Sequence, residues 1–400
     1  MGDLVKGNDA PGRKRLILDG AAEILAANGF HGARMAQIAG ASGITGPALY
    51  RHFAGKDALH AAVIERGMDI VEETMARTGA GPPDAVLTET AAGLARAGID
   101  HAPLWLILMR DARHLPDSER ARHSRRAETV VDEMTRRIAA VRTDLQPWDV
   151  ELVARAVLAF AASPSGSRVK GMNDARRRRL LEQLLRRLTD VRIIADADDG
   201  EPPSSPGELP QPVQRAARRE AIIGAAHHLF RQDGFHAVSM EDIAVAAGVT
   251  GPTVYSYFES KAELLVVAHQ RGSAWLALQL EHAMRVEPSA AERFDRAMRS
   301  YVDFALDHGD TLAVLVRESC NLPESQMPML LRDHHDYTTE MGALLRAARR
   351  ALDEPMARFV VCGGLDLVSF LAVTRRYVGW PGLRPRLLAL LDAVSSVGHR

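Results

Sequence analysis

The sequence predicts an all-α protein made of two related halves. Apolar residues recur at the spacing of amphipathic helices in both halves, and no segment shows the alternation or the β-branched richness of a strand. A 25-residue pattern from Met35 to Leu59 returns from Met240 to Leu264, 205 positions later. A period of that length is too long for a solenoid repeat and indicates a duplicated domain.

The composition is that of a folded globular protein without a strong overall charge. The 400 residues are 46% hydrophobic and 25% charged, with a formal net charge of -1, so any nucleic-acid surface must be local. Only two cysteines occur, Cys320 and Cys362, which fits a reducing compartment and gives no disulfide framework or zinc spacing. The N-terminus lacks a signal segment, and the longest apolar run, Pro103 to Met109, is too short to cross a bilayer. We therefore expect a cytoplasmic protein that does not enter the membrane.

Each copy of the repeated pattern is preceded by an amphipathic helix. This helix is predicted over residues 13–28 in the first half and from Arg218 to Asp233 in the second. The helix that follows starts differently in the two copies. Ser239 is a good N-cap with Asp242 three residues later, whereas Arg34 has no side-chain acceptor. We expect the first copy to lack about 1 kcal/mol of capping.

A glycine turn and a very short helix complete the pattern. Gly43 is expected to take a left-handed conformation that ends one helix. The hydroxyl of Thr45 is expected to cap the next helix, and Pro47 falls in the first turn of that helix. The short helix ends at the aromatic pair Tyr50 and Phe53. The second half repeats these positions as Gly248, Thr250, Pro252, Tyr255 and Phe258. The pattern is therefore a helix-turn-helix motif, present twice.

Long amphipathic helices separated by proline and glycine fill the rest of each half. Between the halves lies an acidic, proline-rich stretch typical of an extended linker. We therefore predict a disordered arm (1–12), a helix-turn-helix domain (13–59), a helical regulatory domain (60–195), a linker (196–212), a second helix-turn-helix domain (213–264) and a second regulatory domain (265–400).

Both heads resemble the TetR family of bacterial repressors. The resemblance rests on an Ile-Ala pair, a Gly-x-Thr-Gly turn, a Tyr, a His/Tyr-Phe pair, a Lys and a Leu, at matching places in both copies. The family implies a three-helix DNA-binding head followed by a six-helix bundle with a ligand pocket and a dimer interface. The first copy departs at Arg34 and Ser42, where Ser/Thr and Ala are usual. Two such units in one chain resemble the actinobacterial tandem regulators associated with lipid and steroid uptake loci.

The resemblance also implies which side chains meet DNA. The short recognition helix points its N-terminal end at the major groove, where backbone N–H groups favour phosphate. Phosphate contacts are assigned, in the first head and then the second, to Thr45, Tyr50, His52 and Lys56, and to Thr250, Tyr255, Tyr257 and Lys261, with Gly46, Pro47, Gly251 and Pro252 at the helix starts. Base reading falls to positions that differ between the copies, Ala48 against Thr253 and Arg51 against Ser256. The alternatives are a packed core role for the tyrosines and a solvated role for Arg51.

The two heads differ in charge. Through Lys56 the first carries seven Lys/Arg against four Asp/Glu, whereas from Val213 to Lys261 the second carries five of each. We expect the first head to supply more of the salt-dependent affinity for DNA. An alternative function is a ligand-binding or co-regulatory scaffold in which one head no longer binds DNA.

We predict that the unlike heads act together on a non-palindromic operator. The last two helices of each half, about 148–194 and 355–397, are expected to pair within the chain as a pseudo-dimer, with further self-association left open. A leucine stripe in the first of these segments is either this interface or core packing: Leu180, Leu181, Leu184, Leu185 and Leu188.

The helices between head and interface are expected to enclose a small effector that releases the DNA. By resemblance, the protein is therefore expected to be a repressor. The resemblance suggests a lipid, an acyl-CoA or a sterol-derived molecule. Candidate lining residues are His101, Trp105, Met109 and Trp148 in the first half and Trp275, Met298, Tyr301 and Phe304 in the second; core packing is the alternative for them.

No enzyme motif accompanies these features. The sequence has no dinucleotide or phosphate-binding glycine loop, no His-Glu-x-x-His and no Gly-x-Ser-x-Gly. Adjacent histidines, as at His227-His228 and His334-His335, point apart on a helix and make poor metal sites. We therefore predict no catalytic residue, no metal and no cofactor.

Overall fold

A computed structural model describes residues 10–112, 115–163, 169–194, 200–203, 217–286 and 288–397. Within these ranges every regular element is an α-helix or a short 3-10 turn, which confirms the all-α prediction. Residues 1–9 of the predicted arm lie outside the described ranges, and the first helix begins at Ala10, three residues earlier than predicted. Of the predicted linker only residues 200–203 are described.

The helices follow the same order in both halves, as the duplication predicts. In the first half they are α1 Ala10–Gly32, α2 Met35–Ala41, α3 Gly46–His52, α4 Lys56–Arg77, α5 Pro83–Asp100, α6 Ala102–Asp111, α7 Asp117–Ala139, α8 Pro147–Ala162 and α9 Asp174–Thr189. In the second half they are α10 Arg218–Asp233, α11 Met240–Ala246, α12 Gly251–Tyr257, α13 Lys261–Val286, α14 Ala290–Asp307, α15 Gly309–Arg317, α16 Met327–Ala348, α17 Glu354–Val373 and α18 Leu383–Ser395.

The helix α1 breaks where the sequence predicts its end. Gly29 has φ 67° and ψ 171°, which interrupts the helical geometry and leaves a last turn up to Gly32. A residue with a Cβ is strained in this left-handed region, so glycine permits the chain to turn here toward α2. Gly234 occupies the matching place after α10 with φ 86°.

Two compact units make up the chain, and their boundary differs from the predicted boundary between the halves. The first unit contains the helices from α1 to α7 as far as Arg137; the second contains α8 and α9 together with everything from α10 to α18. The physical reason lies in the packing of α8 against α17 and of α9 against α18. The predicted regulatory domain 60–195 is thus shared between the two units.

The packing of α8 and α9 on α17 and α18 is close and almost wholly apolar. The leucine stripe of α9 is buried, and the ring of Phe160 in α8 lies so near Gly363 in α17 that a Cβ there would sit 2.5 Å from the ring. Glycine at this position therefore permits the two helices to approach each other.

A fully buried ion pair crosses the inside of this four-helix packing. The guanidinium of Arg386, 1% exposed, donates from Nε to Asp149, which is 3% exposed, and from Nη1 to the carbonyl of Gly382 at 2.8 Å. The ring of Trp380 lies 4.5 Å from the guanidinium. At the rim, a more exposed pair joins Arg176 to Asp353.

The helix α17 is the most apolar of the long helices that the structure describes. It is long and hydrophobic enough to span a membrane by composition, but 78% of its most hydrophobic window is buried inside the protein. This is how the core helix of a folded domain looks.

We expect Gly363→Ala to lower the free energy of unfolding of the second unit by about 1–3 kcal/mol, because the new methyl group overpacks against Phe160. The loss should appear although alanine by itself favours a helix by about 1 kcal/mol. Urea unfolding followed by circular dichroism measures it. Gly224→Ala in α10, where a Cβ meets open space, is the matched control and should be neutral or stabilising; equal stability of the two variants would contradict the close packing.

Candidate nucleic-acid interface

Each short second helix is held by the backbone of the turn before it. In the first head Gly43 has φ 66°, and the amide of Ile44 donates to the carbonyl of Ala39 at 2.9 Å, which closes the end of α2. The hydroxyl of Thr45 then accepts from the amide of Ala48 at 3.4 Å and caps α3, with Pro47 in the first turn, as predicted. Gly248 repeats the left-handed turn with φ 66°.

One face of each short helix is packed inward and the other is open. Leu49 and Val254 are fully buried, and the aromatic residues that follow the helices, Phe53 and Phe258, are buried as well. On the open face the side chains are exposed or half-buried: Thr45, Gly46, Pro47, Ala48, Tyr50, Arg51 and His52 in the first head, and Thr250, Gly251, Pro252, Thr253, Tyr255, Ser256 and Tyr257 in the second. The sequence-predicted contact residues therefore share one accessible surface in each head.

The two key tyrosines are not core residues. Tyr50 is 55% exposed and Tyr255 is 51% exposed, although both rings are large and apolar. The alternative of a packed core tyrosine is therefore wrong. An exposed tyrosine on a recognition helix is the kind of donor that contacts phosphate oxygens.

The cap of the second recognition helix differs from the prediction. The hydroxyl of Thr250 lies 2.9 Å from the hydroxyl of Thr253 and makes no cap bond to the backbone. Thr253 stands where the first head has Ala48, so a side chain competes for the cap. The expectation that Thr250 caps its helix as Thr45 does is thus wrong, and the reason is the Thr253 hydroxyl.

The predicted phosphate-binding lysines point their ammonium groups at backbone carbonyls. Lys261 donates to the carbonyls of Phe235, Val238 and His236 at 2.7, 2.9 and 3.2 Å, and Lys56 donates to that of His31 at 3.1 Å. Burial lowers the pKa of both lysines. Three carbonyls use all three hydrogens of Lys261, so its position supports a role in holding the loop rather than the predicted direct contact with phosphate.

The family model described as "Bacterial regulatory proteins, tetR family" matches the chain twice, at residues 17–63 and 222–268. The transcriptional activator FasR of Mycolicibacterium smegmatis is 26% identical over 190 residues, which is 48% of this chain and 85% of FasR. The regulator RutR of Escherichia coli is 41% identical over 63 residues, 16% of this chain and 30% of RutR. The chain therefore carries two DNA-binding heads of the TetR type in tandem.

The crystal structure of AibR in complex with isovaleryl coenzyme A and operator DNA matches with a TM-score of 0.38 and 23% identity, and the match covers 43% of this chain and 97% of AibR.

The second helices of the two TetR heads start as the sequence predicts. In the second head Ser239 Oγ accepts from the amide of Asp242 at 3.1 Å, and the Asp242 carboxylate accepts from the amide of Ser239 at 2.8 Å. In the first head only half of this arrangement exists, because Gln37 accepts from the amide of Arg34 at 3.0 Å while arginine offers no acceptor in return.

A buried polar cluster, which the sequence analysis did not assign as functional, joins the first TetR head to the helix α6. Arg110 donates to the carbonyl of Leu25 in α1 at 2.9 Å and to Asp111 at 2.6 Å, and His60 lies 3.3 Å from the same carboxylate. Burial alone would raise the pKa of Asp111, but the hydrogen bonds from His60 and Arg110 outweigh it and lower the pKa to about 2. This carboxylate therefore stays ionised and holds α4 and α6 against the head.

The second head has a similar cluster, but its charged side chains come from different helices. Asp310, at the start of α15, accepts from Arg231 at 2.9 Å and lies 3.3 Å from His228, and both partners stand on α10 of the head. Here the acid comes from the regulatory region and the base from the head. Each TetR head is thus tied to its own helical region by an arginine, an aspartate and a histidine.

The predicted pocket residues of the first half occupy different environments. Trp105 is 2% exposed and His101 is partly buried, but Met109 is 40% exposed, which does not suit the wall of an enclosed pocket. Trp148 belongs to the second compact unit and is half-buried. The pocket-lining role of Met109 stays a prediction, which this exposure does not support.

In the second half the predicted residues lie together. Met298, Tyr301 and Phe304 are buried on α14, and the ring of Trp275 in α13 stacks against Phe304 with centroids 4.9 Å apart. The groups that face these side chains decide between a role in a ligand pocket and a role in core packing. In the ranges that the structure describes, no group of three His, Cys, Asp or Glu residues is arranged to hold a metal.

We expect Asp111→Asn to lower the free energy of unfolding of the first unit by about 2 kcal/mol at pH 7, because its carboxylate has a pKa about two units below the unfolded value. A depressed acid pKa contributes stability above the unfolded pKa that is lost as pH falls through the folded one. The difference between wild type and variant should therefore close between pH 4 and pH 2, as measured by urea unfolding. Asp117→Asn, an exposed acid, is the control; a gap that persists at pH 2 would contradict the ionic role.

Proposed function

We propose that one copy of this TetR-family transcriptional regulator reads an operator made of two unlike half-sites. The observation that carries the proposal is the pair of accessible recognition surfaces with different side chains at equivalent places. Arg51 in the first head pairs well with guanine in the major groove, whereas Ser256 in the second does not. Thr253 carries a methyl group and a hydroxyl where Ala48 has a methyl group alone. Two different surfaces favour two different sequences.

The heads also contribute unequally to salt-dependent binding. The first head has an excess of basic residues and the second has none, and Glu259 stands in the second next to the aromatic end of its recognition helix. Each phosphate neutralised by a cation gives a slope of about 0.9 in the dependence of binding on salt. We therefore assign most of the nonspecific affinity to the first head.

The pairing of the halves within one chain is supported by the four-helix packing. The helices α8 and α9 of the first half lie against α17 and α18 of the second with an apolar core and the buried pair of Asp149 and Arg386. A TetR dimer would unite two copies of one surface, whereas here two different surfaces meet. Because they are joined covalently, the second head binds at an effective concentration on the order of millimolar.

The buried pair also disfavours pairing between two second halves. Proline opens both α8 and α17, at Pro147 and Pro355, so the counterpart of Asp149 is Ala357. In a symmetric pair of second halves Arg386 would face alanine and leave a buried guanidinium without its carboxylate. Such an unpaired charge costs several kcal/mol. The arrangement therefore favours the partner half that carries Asp149.

A small effector and a cytoplasmic location complete the proposal. The effector is proposed from the resemblance, as a lipid, an acyl-CoA or a sterol-derived molecule, and the location follows from chromosomal DNA as the partner. Repression was the expectation from the sequence, whereas the relative FasR is named an activator. A reporter gene behind the operator decides the direction.

We expect Asp149→Asn to lower the free energy of unfolding by about 3–5 kcal/mol, since it removes the carboxylate of a buried pair and leaves Arg386 unpaired. Replacement of both partners, Asp149→Leu with Arg386→Met, should restore most of this loss. Asp353→Asn is the matched control, because it removes the exposed inter-half pair but keeps the cap bond to the amide of Met356; it should cost at most about 1 kcal/mol. Equal effects of the two single variants would contradict the central role of the buried pair.

The proposed function is tested by footprinting the DNA beside the gene with wild type, Tyr50→Ala and Tyr255→Ala. We expect each variant to lose protection over one half of an asymmetric footprint and to bind roughly ten- to a hundredfold more weakly, as for a lost hydrogen bond to a charged group. Tyr50→Phe and Tyr255→Phe isolate the hydroxyl, and Leu278→Ala, exposed on α13, is the control for surface changes.

Two outcomes would contradict the proposal. If symmetric operators built from two copies of either half-site bound the protein as tightly as the natural operator, the proposal that the two heads read different sequences would be contradicted. Full binding by Tyr255→Ala, with a salt slope that one head alone explains, would favour the alternative of a scaffold in which the second head no longer binds DNA.

A further inference from the structure

A carboxylate stands in the middle of the apolar helix α17. From Val360 to Val373 this helix carries one acid, Asp366. Its neighbours Leu365 and Leu367 are buried, yet the side chain of Asp366 is open to solvent. An acid in so apolar a helix is costly unless it has a partner or a function. Its surroundings indicate which.

The helix α17 packs against α8, α14, α15, α16 and α18, so the accessible side chain of Asp366 lies in a recess between helices. Solvent reaches this side chain, yet the surrounding protein removes much of its water. Burial raises the pKa of the carboxyl to about 7, although the hydrogen bond from Ser163 acts in the opposite direction. Tyr337 and His334 on α16 behave alike, since both are at least partly accessible while burial raises the pKa of the tyrosine and lowers that of the histidine. The helix packing thus places Asp366 in a recess, and the directions of these three pKa shifts agree with that position.

The recess has an apolar side and a polar side. Tyr301 on α14 lies 2.7 Å from Ser369 Oγ, and Ser369 in turn donates to the carbonyl of Leu365 at 2.7 Å, so the tyrosine donates its own hydrogen to the serine. The polar groups of Tyr301 and Ser369 thus satisfy each other. Met298 and Phe304 on the same helix add apolar surface.

Asp366 by contrast retains capacity to accept hydrogen bonds. Ser163, the residue after α8, donates a hydrogen bond to Oδ2 of Asp366 at 2.9 Å. Within the part of the chain that the structure describes, Ser163 is the one hydrogen-bond donor to this carboxylate. A carboxylate has about four lone-pair positions, and a single hydroxyl hydrogen occupies one of them. The free acceptor positions and the accessible side chain fit a ligand that brings its own donor.

We propose that the recess of Asp366 binds a mainly apolar small molecule whose polar end donates hydrogen bonds, an amine or an alcohol. This proposal rests on the proposed function, because it assigns the effector site and the effector's chemistry. A carboxylate ligand is disfavoured, since two carboxylates cannot stay ionised in contact. Free fatty acids are therefore the disfavoured members of the lipid class that the resemblance suggests, and sterol-like alcohols the favoured ones.

The same position connects the ligand to the pairing of the halves. Ser163 belongs to the first half and Asp366 to the second, so a ligand donor at this carboxylate competes with or reorients the contact between them. A ligand shifts a conformational equilibrium only through contacts that differ between its states. This contact is one that a bound amine or alcohol changes directly.

The test uses the full chain at pH 8 and three ligands of equal apolar length: decylamine, decanol and decanoate. Thermal unfolding and the fluorescence of Trp275, which stacks on Phe304, report binding. We expect the amine and the alcohol to bind at least tenfold more tightly than decanoate. In Asp366→Asn the preference for the amine over decanoate should fall at least tenfold, while decanol binding persists because the amide oxygen still accepts.

Asp366→Leu should lose the preference for both donors, and Asp336→Asn, which alters an exposed acid on α16, should behave as wild type. Ser163→Ala leaves the Asp366 carboxylate in place and should keep the preference for decylamine over decanoate. This variant tests the site if the Asp366 variants fail to fold. Equal binding of all three ligands to wild type, or an unchanged amine preference in Asp366→Asn, would overturn the proposal.

Mobility shifts of the operator with the same ligands separate this proposal from the proposed function. Asp366-dependent amine binding that leaves operator affinity unchanged would overturn the effector role. Loss of operator affinity with amine or alcohol, absent in Asp366→Leu, would support the site and its coupling to DNA together. The tyrosine variants of the heads test DNA binding without any ligand, so failure of the one does not imply failure of the other.

Discussion

The ion pair between Asp149 and Arg386 is the interaction on which the second compact unit depends. Both side chains are almost completely removed from water, and the guanidinium is further held by the carbonyl of Gly382 and the ring of Trp380. Charges in such surroundings are stable only with their partners in place. The helices α8 and α9 must therefore remain on α17 and α18, even though more than two hundred residues separate the two groups in the chain. The close approach of Phe160 to Gly363 adds a steric fit to the electrostatic one.

The two TetR heads show how one backbone design carries two chemistries. Left-handed glycines, a proline in the first turn and a buried apolar residue fix the short helices in the same way. The outward positions are free of that constraint and differ, and even the cap hydroxyl is used differently where Thr253 replaces Ala48. Constraint from the core and freedom at the surface thus separate the residues that make the motif from those to which we assign the reading of DNA.

The sequence predicted the features whose causes are local. The glycine turns, the Ser239 cap, the accessible tyrosines and the order of the helices all follow from residues a few positions apart. The surroundings of Lys56 and Lys261 were not predicted, because their ammonium groups bind carbonyls about 25 positions earlier that no local pattern reveals. The exposure of Met109 depends in the same way on how α6 packs. The pairing of Asp149 with Arg386 and of Ser163 with Asp366 joins positions 237 and 203 residues apart, so only the fold could bring them together.

Duplication explains why these long-range pairs are one-sided. A homodimer interface must be complementary to itself, so every contact occurs twice and each residue serves in both copies. When the two interface surfaces belong to different halves of one chain, the sequence of each surface can change independently. An acidic residue in one half then requires a basic partner in the other half but no basic partner in its own. Asp149 has no acidic counterpart in the second half, and Ser163 supplies its hydroxyl to an acid of the second half. The same freedom extends to the heads under the proposed function, since an operator of two unlike half-sites does not require identical readers.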